Sequence, residues 1–315
     1  MEDKKLKRIL SLLLCMALFV CAFSLVGCSN ENNSGDNPQN SGQPGPGAEP
    51  EKNWNEDNAL KVLTIGNSFS DDTMEYVYQI ATDLGVEEVF LGNLYIGGCT
   101  LATHAANARS NMPMYEYRTN DSGLWHTERI YSIKRALQSQ NWDFVSLQQA
   151  SGSSGMQDTY GDLEYLLTYV TAYAPTADIV WNMTWAYEQT SSHSEFHKYD
   201  NDQLTMYNRI VSAVQNCVLT YSVVKKVIPC GTAIQNARTS YVGDRLTRDG
   251  YHLTLDLGRY IAGLTLVEAL TGLEVRNVTF KPNGVSENYR KVAVDAVHKA
   301  VQNPFSVTNS LYPSY

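Results

Sequence analysis

Three polar residues, one near the start of the chain and two close together near its end, have the types that nucleophilic catalysis by a serine requires. Ser68 follows an apolar run that ends at Gly66, where a strand is expected to turn into a helix. A serine on such a turn lies at the positive end of the helix with its oxygen exposed, which suits a nucleophile. Asp249-Gly250-Tyr251-His252 supplies a base, because the aspartate can hold Nδ1 and leave Nε2 free. We therefore predict a catalytic triad of Ser68, His252 and Asp249.

The segment around Ser68 also admits a purely structural interpretation. Ser68 or Ser70 could be a helix N-cap, since serine before an acidic first turn is a common helix start. Ser70, followed by Asp71 and Asp72, is predicted to supply that cap. This assignment leaves the Ser68 hydroxyl without a capping role and available for chemistry.

The other histidines are weaker candidates for the base. His193 and His197 are four residues apart and could share a metal on a helix, but no third ligand is nearby, and no metal site is predicted. His104 and His298 fall in predicted helices where packing is the expected role. His126 falls in a predicted hairpin.

Strands and helices alternate along the chain, which predicts how these residues are positioned. The alternation indicates a three-layer α/β/α sandwich whose parallel sheet has about five strands. The predicted strands are 60–66, 88–98, 142–149, 178–185 and 224–231, and residues 114–130 read as a hairpin about an Asn-Asp-Ser-Gly turn. The predicted helices are 71–85, 99–109, 132–140, 158–175, 201–219 and 255–272.

The carboxyl ends of the predicted strands should form one crevice, because ligands bind at that edge of an open α/β sheet. Five residues are expected to converge there: Gly66, Gly98, Gln148, Trp185 and Gly231.

The first residues of the chain have the layout of a secretory signal. Lys4, Lys5, Lys7 and Arg8 precede an apolar run over 9–26. The run ends in Leu25-Val26-Gly27-Cys28, which resembles the bacterial lipobox and implies cleavage before Cys28 and lipidation of that residue. A single membrane span is the alternative. Residues 28–58 are polar and rich in Gly, Pro, Asn and Ser, which predicts a flexible tether, and 59–315 are predicted to form one domain.

Charge and cysteine content exclude several classes of protein. The formal net charge is -9, and it becomes about -11 without residues 1–27, which carry four basic and two acidic side chains. Nucleic acid is therefore not an expected partner. Cys99, Cys217 and Cys230 remain after the predicted signal and Cys28, an odd number without a CxxC pair. This pattern argues against zinc and leaves room for one disulfide at most.

Gly66-Asn67-Ser68 and Asp249-Gly250-Tyr251-His252 resemble the first and last sequence blocks of the SGNH (GDSL-like) hydrolases. The chain is most similar to a less characterised branch with Gly-Asn-Ser-Phe in the first block. The resemblance implies an oxyanion hole formed by the backbone N–H groups of Ser68 and Gly98 and by one side-chain amide. The usual Gly-x-Asn-Asp of the third block is missing, so Gln148 or Gln149 would supply the amide, with Gln148 preferred and Asn182 next.

The resemblance implies a serine esterase that needs no cofactor. The expected function is that of a secreted enzyme, lipid-anchored to the bacterial cell membrane, that removes O-acetyl groups from a small molecule or glycan. Trp185 and Tyr251 are the predicted substrate-binding aromatics, although packing is an alternative role for them. A thioesterase or lysophospholipase, or a surface glycan-binding lipoprotein without catalysis, remains possible at this stage.

Overall fold

The computed structural model describes residues 57–313. The predicted signal segment 1–27, Cys28 and almost all of the predicted tether lie outside the described residues. Within the described part of the chain, no helix combines the length and the apolar character that are needed to cross a membrane.

A central sheet of seven strands organises the described residues, in the order β4-β3-β2-β1-β5-β6-β7. The strands are β1 (Ala59–Gly66), β2 (Glu88–Tyr95), β3 (Tyr115–Asn120), β4 (His126–Tyr131), β5 (Phe144–Leu147), β6 (Asp178–Asn182) and β7 (Val224–Ile228). Strands β1, β2, β5, β6 and β7 are parallel, whereas β3 and β4 are antiparallel to their neighbours.

Helices cover the sheet. They are α1 (Ser68–Met74), α2 (Val77–Asp83), α3 (Leu101–Arg109), α4 (Ile133–Leu137), α5 (Leu163–Tyr173), α6 (Gln203–Ala213), α7 (Cys230–Arg238), α8 (Leu257–Thr271) and α9 (Glu287–Gln302). Helices α1, α2, α7 and α9 pack around α8, while α3, α4 and α5 pack with one another as a separate group. The predicted α/β fold with a mostly parallel sheet is confirmed.

The predicted number of strands was too small, because the hairpin was not expected to join the sheet. Strand β3 pairs with β2, with Tyr117 opposite Leu94, and so extends the five parallel strands by two antiparallel ones. Tyr115 and Tyr117 on one face of β3, together with Tyr131 on β4, are buried in the core. Burial of these large aromatic side chains stabilises the docked hairpin.

One helix prediction and one strand prediction also needed correction. The predicted helix 71–85 is two helices, because the helical hydrogen bonding is interrupted between Met74 and Val77. The predicted strand 224–231 ends at Ile228, and helix α7 follows from Cys230. Every residue of α7 is buried, including the polar residues Thr232, Gln235, Asn236 and Arg238, so this helix does not have the solvent-exposed polar face of a surface helix.

The first strand lies inside the sheet, and this position creates the functional crevice. After β1 the chain builds β2 on one side, and it later builds β5 on the other. A parallel sheet that reverses direction in this way leaves an opening at the carboxyl ends of the two strands. Gly66, the last residue of β1, lies at that opening, and Ser68 follows it.

Candidate active site

Asn67, rather than Ser70, caps the helix that carries Ser68. The Asn67 side chain accepts a hydrogen bond from the Phe69 N–H at 3.0 Å, and α1 begins at Ser68. The predicted Ser70 cap was wrong, because Ser70 is wholly buried within the helix. Its Oγ lies 2.6 Å from the Asn67 carbonyl oxygen and 2.8 Å from Asn93 Oδ1. Ser68, by contrast, is only half-buried and has no capping role.

Ser68, His252 and Asp249 come together as a hydrogen-bonded triad. His252 Nε2 lies 2.8 Å from Ser68 Oγ, and His252 Nδ1 lies 2.7 Å from Asp249 Oδ2. These are the distances at which a base can take the serine proton while a carboxylate fixes the imidazole tautomer. Partial burial opposes ionisation of Asp249, but hydrogen bonds from the His252 ring and backbone hold its pKa below the ordinary value. The carboxylate therefore stays charged opposite the imidazole.

A buried aspartate connects the two halves of the triad. Asp72 on α1 is fully buried, and its Oδ2 accepts a hydrogen bond from the Leu253 N–H at 2.8 Å. Its Oδ1 accepts from Arg248 Nη1 at 3.0 Å and from Arg259 Nε at 2.8 Å. Because α1 carries Ser68 and residues 248–253 carry His252, this carboxylate fixes the nucleophile and the base relative to each other.

Replacement of Asp72 by alanine is expected to lower the free energy of unfolding by about 3–5 kcal/mol, the usual cost of removing one partner from a buried charge network. Both arginines and the Leu253 N–H would lose their shared acceptor. The measurement is urea unfolding of the purified protein. Glu75→Ala is the matched control, because Glu75 pairs with Arg259 at a more exposed position, and such pairs contribute about 1 kcal/mol or less. Equal midpoints for the wild type and Asp72→Ala would contradict the assigned role.

A cavity of about 550 Å³ opens over the triad. Of the residues that the sequence predicted for the site, Ser68, Gly98, Tyr251 and His252 line this cavity, with Asp249 behind the imidazole ring. The other lining residues are Asn67, Asp71, Tyr95, Gly97, Thr100, Ala150, Ser151, Gly152, Ser153, His193, Glu195, Arg248 and Arg259.

Two backbone N–H groups at the cavity are available to hold a developing oxyanion. Within residues 57–313, the N–H groups of Ser68 and Gly98 have no protein acceptor. Gly98 has a φ of 64°, in the left-handed region where glycine is favoured over other residues. A residue with a side chain would be strained at this position, so Gly98 lets the segment after β2 reach the cavity wall.

Gln148 does not line the cavity, contrary to the expectation from the sequence. Its side chain is buried, and Nε2 donates to Asn67 Oδ1 at 3.0 Å. Its Oε1 accepts from Asn182 Nδ2 at 3.1 Å, so Asn182 is also behind the site. Asn67 Nδ2 in turn donates to the Cys99 carbonyl at 3.0 Å. Gln148 therefore orients Asn67, which joins the segments after β1, β2 and β5.

Gln149 has a structural role as well. Its Oε1 accepts from the N–H groups of Leu101 and Ala150, at 3.0 and 2.8 Å, and its Nε2 donates to Thr159. These bonds hold the start of α3 against the loop after β5. Neither glutamine is placed as the third oxyanion donor, and that loop contributes Ala150–Ser153 to the cavity instead.

Of the two predicted substrate-binding aromatics, only Tyr251 reaches the cavity. Trp185 is fully buried and stacks on Phe69, with ring centroids 4.2 Å apart. Its Nε1 donates to the Tyr251 carbonyl at 2.8 Å, so Trp185 supports the triad loop from below. Tyr251 lies against the His252 ring, with centroids 4.0 Å apart. Gly231, the fifth residue expected at the crevice, is buried in α7 against the Thr184 carbonyl.

The cavity wall also contains His193 and Glu195, which the sequence did not place at the site. His193 Nδ1 accepts from the Glu195 N–H at 3.1 Å, and burial lowers the pKa of His193. The neutral ring therefore carries its proton on Nε2, which makes it a hydrogen-bond donor at the cavity. His193 packs edge-on against Tyr251, at 4.5 Å between centroids. The only signal in the sequence was the His193/His197 pair, which suggested a metal instead.

His104, His298 and the three cysteines lie outside the candidate active site. His104 is fully buried and contacts the Tyr115 hydroxyl at 2.9 Å, and His298 lies 2.8 Å from Glu268. Cys99, Cys217 and Cys230 are free thiols. No group of side chains able to hold a metal ion occurs within the described residues.

The triad and the sheet edge together form the arrangement found in α/β serine hydrolases. The family described as Domain of unknown function (DUF4886) matches residues 61–300. The chain therefore belongs to the DUF4886 family. No curated protein is similar to it at a significant level.

Solved structures similar to this chain include another member of the family. That DUF4886 family protein, from Bacteroides uniformis, is 41% identical, with a TM-score of 0.77 over 80% of this chain and 98% of its own. A carbohydrate esterase family 3 structure from Talaromyces cellulolyticus is 15% identical, with a TM-score of 0.45 over 70% of this chain and 100% of its own. A lipase/acylhydrolase from Enterococcus faecalis is 13% identical, with a TM-score of 0.44 over 68% and 96%.

Proposed function

We propose that this protein is a serine esterase of the SGNH type that removes O-acetyl groups from carbohydrate. The observation that carries the proposal is the triad, in which the Ser68 hydroxyl, the His252 ring and the Asp249 carboxylate are joined by hydrogen bonds of 2.8 and 2.7 Å. The Gly-Asn-Ser-Phe segment at the turn after β1 agrees with it, because Asn67 caps the helix and leaves the half-buried Ser68 hydroxyl free of a capping role.

The proposed reaction has two acyl-transfer steps. Ser68 Oγ attacks the ester carbonyl while His252 Nε2 takes its proton, and the imidazolium then protonates the leaving alcohol. The N–H groups of Ser68 and Gly98 stabilise the negative charge on the tetrahedral oxygen. Water, deprotonated by His252, hydrolyses the acyl-enzyme and releases acetate. Asp249 remains ionised throughout and balances the charge on the ring.

The composition of the cavity wall favours a short acyl group and a polar alcohol. Of the described residues that line the cavity, none is Leu, Ile, Val, Phe or Met, whereas four carry formal charges: Asp71, Glu195, Arg248 and Arg259. A long acyl chain would gain little there, since its binding depends on burying apolar surface. An acetyl group needs no such surface, and the hydroxyls of a sugar can bond to the charged side chains.

The same wall disfavours the alternative of a thioesterase or lysophospholipase, whose substrates carry long apolar chains. A glycan-binding protein without catalysis is disfavoured by the triad, since simple binding would not require an aspartate, an imidazole and a serine held in series. The absence of the Gly-x-Asn-Asp block favoured that alternative. In this chain, hydrogen bonds from Gln148 to Asn67 and from Asn67 to the Cys99 carbonyl join the segments that carry Ser68 and Gly98 without that block.

The test compares the hydrolysis of p-nitrophenyl esters that differ only in the length of the acyl chain. The purified protein should release p-nitrophenol from the acetate ester with a kcat/KM at least about tenfold above that for the decanoate ester, because each additional methylene lacks apolar contacts. It should also release acetate from acetylated sugars. Preference for the decanoate ester would favour the lipid-directed alternative, and no hydrolysis of any ester would reject the esterase proposal.

The proposed location is outside the cytoplasm, on the bacterial cell membrane, through a lipid on Cys28. The lipobox-like segment and the polar residues after it support this location. Cys28→Ser is expected to move the processed protein from the membrane fraction to the soluble fraction, as seen on immunoblots, since the mature chain offers no other apolar run of spanning length. Continued membrane retention of the processed variant would contradict the lipid anchor.

A further inference from the structure

A second depression lies beside the active-site cavity, between helix α1 and the β3–β4 hairpin. This hairpin groove has a volume of about 410 Å³. It is lined by Asp71, Met74, Glu75, Glu116, Arg118, Trp125, Thr127 and Arg129. The triad makes no use of these residues, and the hairpin that supplies most of them extends the parallel sheet at its edge.

The hairpin groove adjoins the active-site cavity. Asp71 lines both, and it forms an ion pair with Arg118 of the groove. The Arg118 guanidinium lies over the ring of Tyr95, 4.0 Å from its centroid, and Tyr95 lines the cavity. A second connection joins Glu75 of the groove to Arg259 of the cavity at 3.1 Å. A molecule bound at Ser68 that extends across this shared wall would reach the groove.

The alternation of side chains along the hairpin explains why the groove is polar. Tyr115 and Tyr117 point to one face and are buried in the core, so Glu116 and Arg118 face the other side. Thr127, opposite Arg118 in the register of the hairpin, and Arg129 extend this polar face on β4. The groove thus presents guanidinium, carboxylate and hydroxyl groups on a fixed strand scaffold.

Trp125 adds an aromatic surface to this polar set. Its side chain is half-buried against the core, and within residues 57–313 its indole N–H has no hydrogen-bond partner. An indole combines a large rigid apolar surface with one donor at its edge, and it often dominates binding energy where it is partly exposed. A sugar ring matches this combination, because it has an apolar face of C–H groups and a rim of hydroxyls.

The charge of the groove selects among sugars. Asp71, Glu75 and Glu116 supply three carboxylates against the guanidiniums of Arg118 and Arg129, which leaves one net negative charge. A chain of uronic acids would be repelled, whereas neutral sugars can bond to both kinds of group. From this geometry we infer that the hairpin groove binds the neutral oligosaccharide chain that continues from the acetylated sugar at Ser68. The inference rests on the proposed function.

The experiment measures acetate release from partially O-acetylated tetraoses of xylose, glucose and mannose, each compared with its acetylated monosaccharide. At least one tetraose should show a kcat/KM roughly tenfold or more above its monosaccharide, the gain expected from one aromatic contact of this kind. Trp125→Ala should remove most of that gain. Arg129→Ala should reduce the gain too. This variant should keep the wild-type fold, because the Arg129 side chain is 80% exposed and contributes little packing.

Leu124→Ala is the matched control, since Leu124 adjoins Trp125, is 69% exposed and does not line the groove. Its ratio of tetraose to monosaccharide kcat/KM should equal that of the wild type. The inference is overturned if no tetraose exceeds its monosaccharide, or if the gain survives in both Trp125→Ala and Arg129→Ala. Hydrolysis of p-nitrophenyl acetate without release of acetate from any sugar would reject the carbohydrate substrate itself, and the groove assignment with it.

Discussion

Ser68→Ala is expected to reduce acetyl-ester hydrolysis by at least about 10⁴-fold in kcat, on the scale seen when the nucleophile of a triad is removed. The hydroxyl that lies 2.8 Å from His252 Nε2 would be gone, and no other serine hydroxyl within residues 57–313 is hydrogen-bonded to this ring. The measurement is steady-state hydrolysis of p-nitrophenyl acetate. Covalent labelling by a fluorophosphonate, read by mass spectrometry of the peptide that contains residue 68, should vanish with the activity.

Ser70→Ala is the matched control, two residues along the same helix. Ser70 Oγ faces the Asn67 carbonyl and Asn93 Oδ1 rather than the cavity, so labelling should persist. We expect a loss of about 1 kcal/mol in unfolding free energy, because the substitution removes one buried hydroxyl bond while the Asn67 carbonyl keeps the Ser70 N–H and Asn93 Oδ1 keeps the Thr64 hydroxyl as donors. This cost arises from the interior of the helix and not from a lost cap. Labelling that survives in Ser68→Ala but disappears in Ser70→Ala would reverse the assignment of the nucleophile.

The triad could be predicted from the sequence because its signals are local. A buried strand that ends in Gly66, followed by polar residues, defines a turn at Ser68. Asp249 and His252 are close enough in sequence for the loop itself to join them, and the Asp249 carboxylate accepts from both the backbone and the ring of His252. Neither relation depends on how distant parts of the chain pack.

The third-block amide and the aromatic Trp185 could not be assigned in the same way, because their side-chain directions depend on where strands end. Strand β5 ends at Leu147, which leaves Gln148 and Gln149 in irregular backbone, where the alternation of a strand no longer applies. Strand β6 ends at Asn182, and Trp185 folds back under the triad loop. The side chain of an apolar or aromatic residue near a strand end can lie equally well in the crevice or in the core.

The hairpin shows a further limit of sequence analysis. Its turn was readable from Asn120 to Gly123, where Asn120 Oδ1 accepts from the Gly123 N–H at 2.8 Å. Its docking on β2 was not, because that contact depends on the burial of Tyr115, Tyr117 and Tyr131 in the core. The same docking creates the hairpin groove, so substrate length selection is proposed to depend on a contact that the sequence did not predict.

The network around Asn67 joins the segments of the candidate site in a chain that lacks the usual third block. Asn67 caps α1, accepts from Gln148 and donates to the Cys99 carbonyl, next to Gly98. One side chain thus fixes the positions of Ser68 and of the glycine N–H relative to each other. An aspartate at this position would lack the Nδ2 donor and would lose the bond to Cys99.

The charge and the orientation of the Asp249 side chain set the proton position on His252. Asp249 Oδ1 accepts from the backbone N–H groups of His252 and Tyr251, at 2.8 and 3.3 Å, while Oδ2 faces the ring nitrogen. In Asp249→Asn the amide oxygen is expected to keep the two backbone bonds, because the amide nitrogen cannot accept them. The nitrogen must then face His252 Nδ1 and donate to it. This contact would place the imidazole proton on Nε2, where it cannot take the proton of Ser68.

Asp249→Asn should therefore lower kcat by about 10³–10⁴-fold while the loop keeps its fold, since the wrong tautomer removes the base without removing the ring. The measurements are kcat and KM for p-nitrophenyl acetate, together with the urea midpoint, which should stay close to the wild-type value. Asp256→Asn is the matched control: Asp256 Oδ1 accepts from the Leu257 N–H at 2.7 Å, as a cap of α8, and asparagine caps equally well. Its kcat should match the wild type. An Asp249→Asn variant that retains more than about a tenth of the wild-type kcat would show that His252 takes the serine proton without help from the carboxylate, and the third member of the triad would have to be withdrawn.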